Sequence, residues 1–169
     1  RLLVARAGSG ETADARWLRR ELAALGAPVQ AALLPLVLEH VREGRDREAW
    51  AAILELGGRS PDAMPVLARE LWSAGRADLA REVHRRSFEL NGRNVSDLLG
   101  VARCHFALGE AGRALTVLRE VEARSSSNAE ALFLAARIHA AGGARPQAME
   151  MLQRLLALDP GNVEGLELL

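Results

Sequence analysis

Residues 129–162 read AEALFLAARIHAAGGARPQAMEMLQRLLALDPGN, and this stretch decides the fold. Two stripes of mostly apolar residues recur in it at steps of three and four; their members are Leu132, Ala135 and His139, then Ala148, Leu152 and Leu155. Such spacing predicts one buried face on each of two helices. Gly143 lies between the stripes, where it can end the first helix because glycine adopts the left-handed conformation without steric cost.

The pattern of residues 129–162 recurs every 34 residues, at 61–94 and 95–128, without a gap. Three sets of small residues coincide in this 34-residue register: Gly75, Gly109 and Gly143; Ala68, Ala102 and Ala136; Ala80, Ala114 and Ala148. A fixed period of this length is the signature of a helical solenoid, in which neighbouring repeats bury each other's apolar faces. We expect the alanines where two helices cross closely.

The register extends toward both ends of the chain. Residues 30–60 form a repeat that is three residues shorter, and Leu56-Gly57-Gly58 is expected to truncate its second helix. Residues 1–29 match part of a repeat, and residues 163–169 begin another. We therefore expect one uninterrupted array over residues 1–169.

The composition favours an all-α protein without a bulk electrostatic preference. Aromatic residues make up only 4% of the chain, whereas strands prefer aromatic and β-branched residues. The 22 basic residues, all of them arginine, balance 22 acidic ones. This balance argues against a nucleic-acid partner, and no apolar run approaches the roughly 20 residues needed for membrane insertion. A partner must therefore be selected by local groups.

The signature positions of residues 129–162 resemble the tetratricopeptide repeat. They are the opening Ala129-Glu130-Ala131-Leu132, then Gly143, Ala148 and Leu152, and the closing Leu158-Asp159-Pro160-Gly161-Asn162. The resemblance implies an all-α α-solenoid, a right-handed superhelix of antiparallel helix-turn-helix repeats whose first helices line a concave groove. The chain departs from the family pattern where histidine or leucine replaces the usual aromatic of the first helix, and at Arg19 on a normally apolar stripe.

By this resemblance, one residue of each repeat points into the groove, and here these residues are Arg69, Arg103 and Arg137. The further groove candidates are Trp72, Leu99, Phe106 and Phe133. No acidic residue stands three or four positions from any of the arginines, so the sequence predicts no intrahelical partner. Asp62 and Glu130 are the candidate partners from adjacent repeats. The arginines therefore either bind a ligand or are solvated and paired between repeats.

An array of guanidinium and aromatic groups suits carboxylates, because arginine binds a carboxylate through two parallel hydrogen bonds and stacks on aromatic faces. We expect a scaffold that binds a partner peptide, helix or protein in the groove, acidic segments included. An alternative, also implied by the resemblance, is a periplasmic scaffold of a bacterial exopolysaccharide export or modification machine, which recruits an enzyme or guides an anionic polysaccharide. The chaperone-binding clamp of the family is disfavoured, because Leu99, Arg103 and Phe133 replace its lysine and asparagine.

The sequence indicates no enzyme, no metal site and no cofactor. His40, His105 and His139 share one register position, but positions a repeat apart are too distant for zinc ligands, which lie about 2 Å from the metal. Cys104 and His105 are consecutive on a helix and project to different sides, so they cannot form a nucleophile–base pair. We expect packing roles for these histidines.

The ends of the chain suggest a fragment of a longer bacterial solenoid, because the sequence lacks an initiator methionine and stops inside a repeat. No targeting segment decides between the cytoplasm and the periplasm. The partial repeat 163–169 should expose part of an apolar stripe. We therefore expect end-to-end self-association through Leu166 and Leu169, or a mobile last helix.

Overall fold

The computed structural model describes residues 29–168, with side chains from Leu33 onward. In this part of the chain the α-helices are α1 (Val29–Arg42), α2 (Asp46–Arg59), α3 (Met64–Ser73), α4 (Ala77–Leu90), α5 (Val95–Ala107), α6 (Ala111–Arg124), α7 (Ala129–Ala141), α8 (Arg145–Leu158) and α9 (Val163–Glu167). A 3-10 turn, Pro61–Ala63, precedes α3, and residues 29–168 contain no strand. The predicted all-α helical-repeat solenoid is confirmed. Most of the predicted partial repeat 1–29 lies outside the described residues.

A glycine ends the first helix of each of the four repeats in the described range, as the sequence predicts. Gly44, Gly75, Gly109 and Gly143 have φ angles between 68° and 76°. In each turn the residue after the glycine donates its N–H to the carbonyl five positions earlier, as Arg76 does to Leu71 at 2.9 Å. These hydrogen bonds satisfy carbonyls that the helix end leaves open. The chain therefore reverses within a few residues into the second helix.

An asparagine caps the start of the later first helices. The side chains of Asn94, Asn128 and Asn162 each accept a hydrogen bond of 2.9 Å from a backbone N–H in the first turn of α5, α7 and α9. An asparagine cap stabilises a helix by about 1 kcal/mol relative to alanine. The caps recur at the 34-residue period, so the start of each of these helices is fixed by its own sequence.

The small residues of the register lie where helices cross. Five of the six register alanines are fully buried, at 0% exposure, and Ala148 is 6% exposed; the five are Ala68, Ala80, Ala102, Ala114 and Ala136. The leucines and valines of the predicted stripes surround them in the buried clusters. Burial of these apolar faces between neighbouring helices is the main source of stability in such an array.

The prediction that Leu56-Gly57-Gly58 truncates a helix is wrong, because α2 runs through both glycines to Arg59. Gly57 is buried, and a Cβ at this position would stand 3.3 Å from Leu90 Cδ1 and 3.3 Å from Met64 Sδ. The missing side chain at Gly57 therefore allows neighbouring side chains to pack closely against α2.

The short repeat loses its three residues from the turn that follows its second helix. Only Ser60 separates α2 from the 3-10 turn, whereas residues 91–94 separate α4 from α5. The 3-10 turn at Pro61–Ala63 then leads into α3, so the shortening does not change the register of the later repeats.

Candidate functional site

The first helices of successive repeats, from α3 onward, line one groove with a volume of about 910 Å³. Seven of the nine predicted site residues line it: Arg69, Trp72, Arg103, Phe106, Glu130, Phe133 and Arg137. They come from α3, α5 and α7, and Glu164 of α9 continues the same groove. The two predicted site residues outside the groove lining are Leu99 and Asp62.

The middle arginine of the groove is paired with the next repeat. Arg103 Nη2 donates to Glu130 Oε1, from α5 to α7, and the two side chains are 54% and 45% exposed. The prediction that Glu130 is an inter-repeat partner is confirmed. Because an exposed pair of this kind contributes only about 0.2–1 kcal/mol, an incoming anion can compete with Glu130 for Arg103.

Arg137 is held between two aromatic rings. Its guanidinium carbon lies 5.9 Å from the ring centroid of Phe106 and 5.8 Å from that of Phe133. Among the described residues Arg137 has no ion-pair partner. The rings orient the guanidinium by cation–π attraction, which is worth about 0.5–2 kcal/mol, while its charge stays available to a ligand.

Arg69 is more open than Arg103, with 72% of its side chain exposed against 54%. Its Nε lies 4.0 Å from Glu70 Oε1, at the outer limit for an ion pair. The prediction that no partner comes from the same helix is therefore wrong for Arg69. The rule that helical ion pairs join residues three or four positions apart describes side chains on one face of a helix. Two long exposed side chains that are adjacent in sequence can nevertheless meet at their tips.

The residue 27 positions after each groove arginine is the candidate for pairing with it from the next repeat. These residues are Ser96, Glu130 and Glu164, and all three line the groove. Glu130 pairs with Arg103, whereas Ser96 has no charge to offer Arg69.

Asp62 occupies the equivalent position one repeat earlier, where the register places Leu38 and not an arginine opposite it. Asp62 is exposed but does not line the groove. The predicted pairing of Asp62 with a groove arginine is therefore wrong. A residue at this register position can pair with the preceding repeat, as Glu130 does with Arg103. The preceding repeat of Asp62 has the uncharged Leu38 at the arginine position.

The prediction that Leu99 lines the groove is also wrong. Leu99 is 4% exposed and belongs to the same buried cluster as Ala131 and Leu134 of α7. Burial of a leucine side chain is worth about 1.5–3 kcal/mol, so this residue serves packing between repeats. Trp72, in contrast, is 43% exposed in the groove wall.

The groove also contains a polar cluster that the sequence analysis missed. His84 of α4 lines the groove, and its Nδ1 lies 3.1 Å from Asp97 Oδ1 of α5. Asp97 is 3% exposed, and its Oδ2 accepts a hydrogen bond of 2.8 Å from Ser87 Oγ. Asn91 in turn donates to Ser87 Oγ at 3.0 Å. A signal was present in the register, because Leu118 and Leu152 occupy the position of His84 in the later repeats.

Cys104 and His105 lie in different surroundings. His105 Nδ1 is bonded to Glu110, and this bond is the main reason that the pKa of the Glu110 carboxyl lies below its ordinary value, with Arg113 and Arg81 adding to the effect. Burial raises the pKa of the Cys104 thiol to about 11. The thiol is therefore protonated at neutral pH and is a poor nucleophile.

The other two histidines of the shared register position lie apart from the groove. His40 is 6% exposed, and burial is the main cause of its lowered pKa. His139 lines a small cleft of about 170 Å³ against α6 and α8. Within residues 29–168, no three histidine, cysteine or acidic side chains are grouped so that they could hold a metal ion. None of the helices in that range is long and apolar enough to cross a membrane.

The last described helix leaves apolar side chains in solvent. Val163 is 64% exposed and Leu166 is 51% exposed. Leu169 lies outside the described residues. Self-association through Leu166 and Leu169 therefore stays a prediction.

The sequence model of a family described as tetratricopeptide repeat matches residues 106–169. A search of curated protein sequences found no match. YrrB, a solved protein with tetratricopeptide repeats and "an unusual peptide-binding site", is similar in structure, with a TM-score of 0.64 and 23% identity. The similarity covers 90% of this chain and 84% of YrrB.

Two similar structures were solved as complexes. The first is the first repeat domain of Spaghetti (RPAP3) bound to the HSP90 peptide SRMEEVD, with a TM-score of 0.59 and 18% identity over 63% of this chain and 85% of that one. The second is PcrH in complex with the chaperone-binding region of PopB, with a TM-score of 0.57 and 20% identity over 64% of this chain and 88% of PcrH. At these identities the likenesses establish the fold.

Proposed function

Since this chain is a tetratricopeptide repeat protein, we propose that it is a protein-interaction scaffold whose groove binds an extended, acidic segment of a partner protein. The observation that carries the proposal is the position of Arg69 and Arg137 in one groove, with neither arginine paired to the following repeat in the described range. Between them, Arg103 is bound to the exposed Glu130. The groove therefore offers two cations that the following repeat leaves unpaired and one that a ligand can recruit.

The guanidinium groups of these arginines favour carboxylates as ligands. A guanidinium donates two parallel hydrogen bonds to a carboxylate, and such charge-assisted bonds are about twice as strong as neutral ones. Arg137 is already oriented by Phe106 and Phe133, so less side-chain entropy is lost when it binds. The helices themselves are rigid elements, and the ordering cost falls mainly on the partner segment.

The similar proteins support a peptide occupant. The RPAP3 domain was solved with the peptide SRMEEVD, which contains three carboxylate side chains, and PcrH was solved with a region of PopB. We extend this mode of binding to the groove formed by α3, α5 and α7 of this chain.

An anionic oligosaccharide is a second candidate for the same groove. It is supported by the exposed ring of Trp72, because sugar rings stack on aromatic faces and their carboxylates suit the same arginines. The two occupants are distinguished by affinity: an oligosaccharide of uronic acids should bind more tightly than an acidic peptide with the same number of carboxylates only if the polysaccharide alternative is correct.

The test is an array of short peptides of varied charge, probed with the wild-type chain and with two doubly substituted variants. Arg69→Glu with Arg137→Glu should abolish binding to the acidic peptides that the wild type selects. The matched control is Arg85→Glu with Arg113→Glu, which makes the same charge change at exposed arginines outside the groove lining. Equal loss of binding in both variants, or wild-type selection of neutral peptides, would contradict the proposal.

A further inference from the structure

The seam between α4 and α5 is polar, whereas the register makes the equivalent positions of the other repeats apolar. We call its members the polar seam: His84, Ser87, Asp97 and Gly100. In the other repeats, the position of His84 is held by Ile53, Leu118 and Leu152; that of Ser87 by Leu56, Val121 and Leu155; that of Asp97 by Ala63 and Ala131; and that of Gly100 by Val66 and Leu134. At this one boundary between repeats, four residues differ from their apolar register equivalents. Packing alone does not explain these four differences, which therefore point to a further role.

The polar seam is buried and fully hydrogen-bonded around Asp97. Both carboxylate oxygens are used, one by His84 and the other by Ser87, and Asn91 connects Ser87 to the carbonyl of Pro61 at 2.9 Å. Replacing buried polar groups of this kind by well-packed apolar residues is often neutral or stabilising. Stability alone therefore does not account for a polar seam at this boundary, and the seam opens to the groove at His84 and Gly100.

His84 and Gly100 are the members of the seam that line the groove, and 18% of the His84 side chain is exposed. Because Asp97 accepts at Nδ1, the neutral imidazole carries its proton on Nδ1 and has a lone pair on Nε2. Nε2 has no hydrogen-bond partner among the described residues. A carboxylate that orients one edge of an imidazole while the other edge stays free is a familiar arrangement for ligand-contacting histidines.

Gly100 makes the space in which the imidazole lies. A Cβ at this position would stand 2.4 Å from His84 Nε2 and 2.5 Å from Cδ2 and Cε1, closer than any side-chain contact allows. Any residue other than glycine would therefore push the ring out of its position over α5. The open position at Gly100 and the anchoring carboxylate of Asp97 together fix where Nε2 is presented.

We propose that His84 is a ligand-binding residue of the groove, which takes up a proton on Nε2 and donates it in a hydrogen bond to a carboxylate of the bound segment. The proton comes from solvent and stays on the ring, while the Nδ1–H bond to Asp97 is kept. This inference rests on the proposed function, because it assumes an acidic occupant. It makes affinity depend on pH, which the arginines alone would not do.

The charged groups around His84 set the conditions for this uptake. On its own helix, Arg81 lies three residues earlier and is bound to Glu110. The charged groups of the other elements that share the groove with it are Arg69 of α3, Asp97 and Arg103 of α5, Glu130 and Arg137 of α7, and Glu164 of α9. The protonated ring carries one positive charge, and a ligand carboxylate that engages the groove arginines attracts that charge.

The experiment uses acetylated, amidated deca-glutamate as the probe and the whole chain as it stands. Calorimetric titrations in two buffers of different ionisation enthalpy measure the protons taken up on binding. We expect net uptake by the wild type, and an affinity that rises by up to about tenfold for each unit that the pH falls across the range where histidine titrates. The His84→Gln variant should bind several-fold more weakly, without proton uptake.

Three further measurements keep the result independent of any one variant. The nuclear magnetic resonance signal of His84 Cε1–H in the wild type should move toward its protonated position when deca-glutamate is added at constant pH. Gly100→Ala should lose the uptake while retaining the other groove side chains. The variant His84→Leu, Ser87→Val, Asp97→Ala, Gly100→Leu, which restores the register residues, should fold as stably as the wild type and bind without pH dependence.

The outcomes separate this inference from the proposed function. If deca-glutamate does not bind the wild type at all, both are overturned. A different result is that deca-glutamate binds the wild type, that Arg69→Glu with Arg137→Glu abolishes binding, and that binding nevertheless takes up no proton and is unchanged in His84→Gln. The proposed binding groove would then be correct and the proposed role of His84 would be wrong. In that case the polar seam is structural.

Discussion

Glu130 of α7 neutralises Arg103 of α5 across the boundary between two repeats, so the central arginine of the groove is the least available of the three. Arg69 and Arg137 lie on either side of it, one open to solvent and one held against two phenylalanine rings. The three register-equivalent arginines therefore differ in what they can offer a ligand, although the sequence presents them as identical.

The first prediction concerns this inequality. Glu130→Gln should increase the affinity for an acidic peptide a few-fold, because it frees Arg103 at the cost of a pair worth about 0.2–1 kcal/mol. Arg137→Glu should reduce affinity about tenfold or more, and Arg103→Glu should reduce it less. Calorimetric titration with one peptide measures all three. Equal effects of the two arginine substitutions would show that pairing with Glu130 does not matter for binding.

A second prediction tests the close helix crossing at Ala102, which is fully buried. Ala102→Leu should lower the free energy of unfolding by about 1–3 kcal/mol, because added methyl groups force neighbouring side chains out of their positions. Ala123→Leu, on the exposed face of α6, is the matched control and should change stability by less than about 0.5 kcal/mol. Urea denaturation followed by circular dichroism gives both values. Similar values for the two variants would place the crossing elsewhere.

The repeat register predicted most of the architecture because helix ends and turns depend on local backbone conformation. Gly109 and Gly143 mark their turns in the sequence itself, and so do the caps at Asn94 and Asn128. The truncation expected at Gly57 failed for the opposite reason. Whether a glycine ends a helix or admits a neighbour depends on what packs against it, and a single repeat does not contain that information.

The groove could be located from the sequence, but its pairing could not be read completely. The spacing rule for helical ion pairs correctly predicted that the partner of Arg103 comes from the next repeat. It did not predict the contact between Arg69 and Glu70, which are adjacent in sequence. Leu99 was misplaced because its burial depends on the neighbouring repeat. The polar seam around Asp97 was visible as a departure from the register, and a position-by-position comparison of the repeats would have found it.

A third prediction compares two glycines that are three residues apart. Gly109 has a φ of 76° and Gly112 lies in the first turn of α6, and a Cβ at either position would meet nothing within 4 Å. Gly109→Ala should therefore destabilise the chain by about 1–2 kcal/mol through backbone strain alone. Gly112→Ala should stabilise it by about 0.5–1 kcal/mol, because alanine loses less conformational entropy in a helix. Opposite shifts in the urea midpoint are expected, and shifts of the same sign would contradict the assignment of the turn.

The last prediction uses two residues that share one register position. His40 is buried, its Nδ1 has no hydrogen-bond partner among the described residues, and burial, with Arg45 adding, lowers its pKa. Leu71 is the equivalent residue one repeat later and is fully buried. His40→Leu should raise the free energy of unfolding at neutral pH by about 1–3 kcal/mol, since it removes an unsatisfied buried polar group.

The pH dependence of this substitution follows from the direction of the pKa shift. As the pH falls below the ordinary histidine value of 6.5, the unfolded chain takes up a proton on His40 that the folded chain resists, so folding becomes less favourable. The wild type should therefore lose stability between 6.5 and the lowered pKa of His40, and His40→Leu should lose less. The reverse change, Leu71→His, should create the same acid sensitivity in the next repeat. Glu110 causes a separate loss of stability at lower pH. Its depressed pKa stabilises the fold until the pH falls below the ordinary glutamate value. Urea denaturation at a series of pH values separates the two, and parallel curves for wild type and His40→Leu in the upper window would contradict the buried, neutral state of His40.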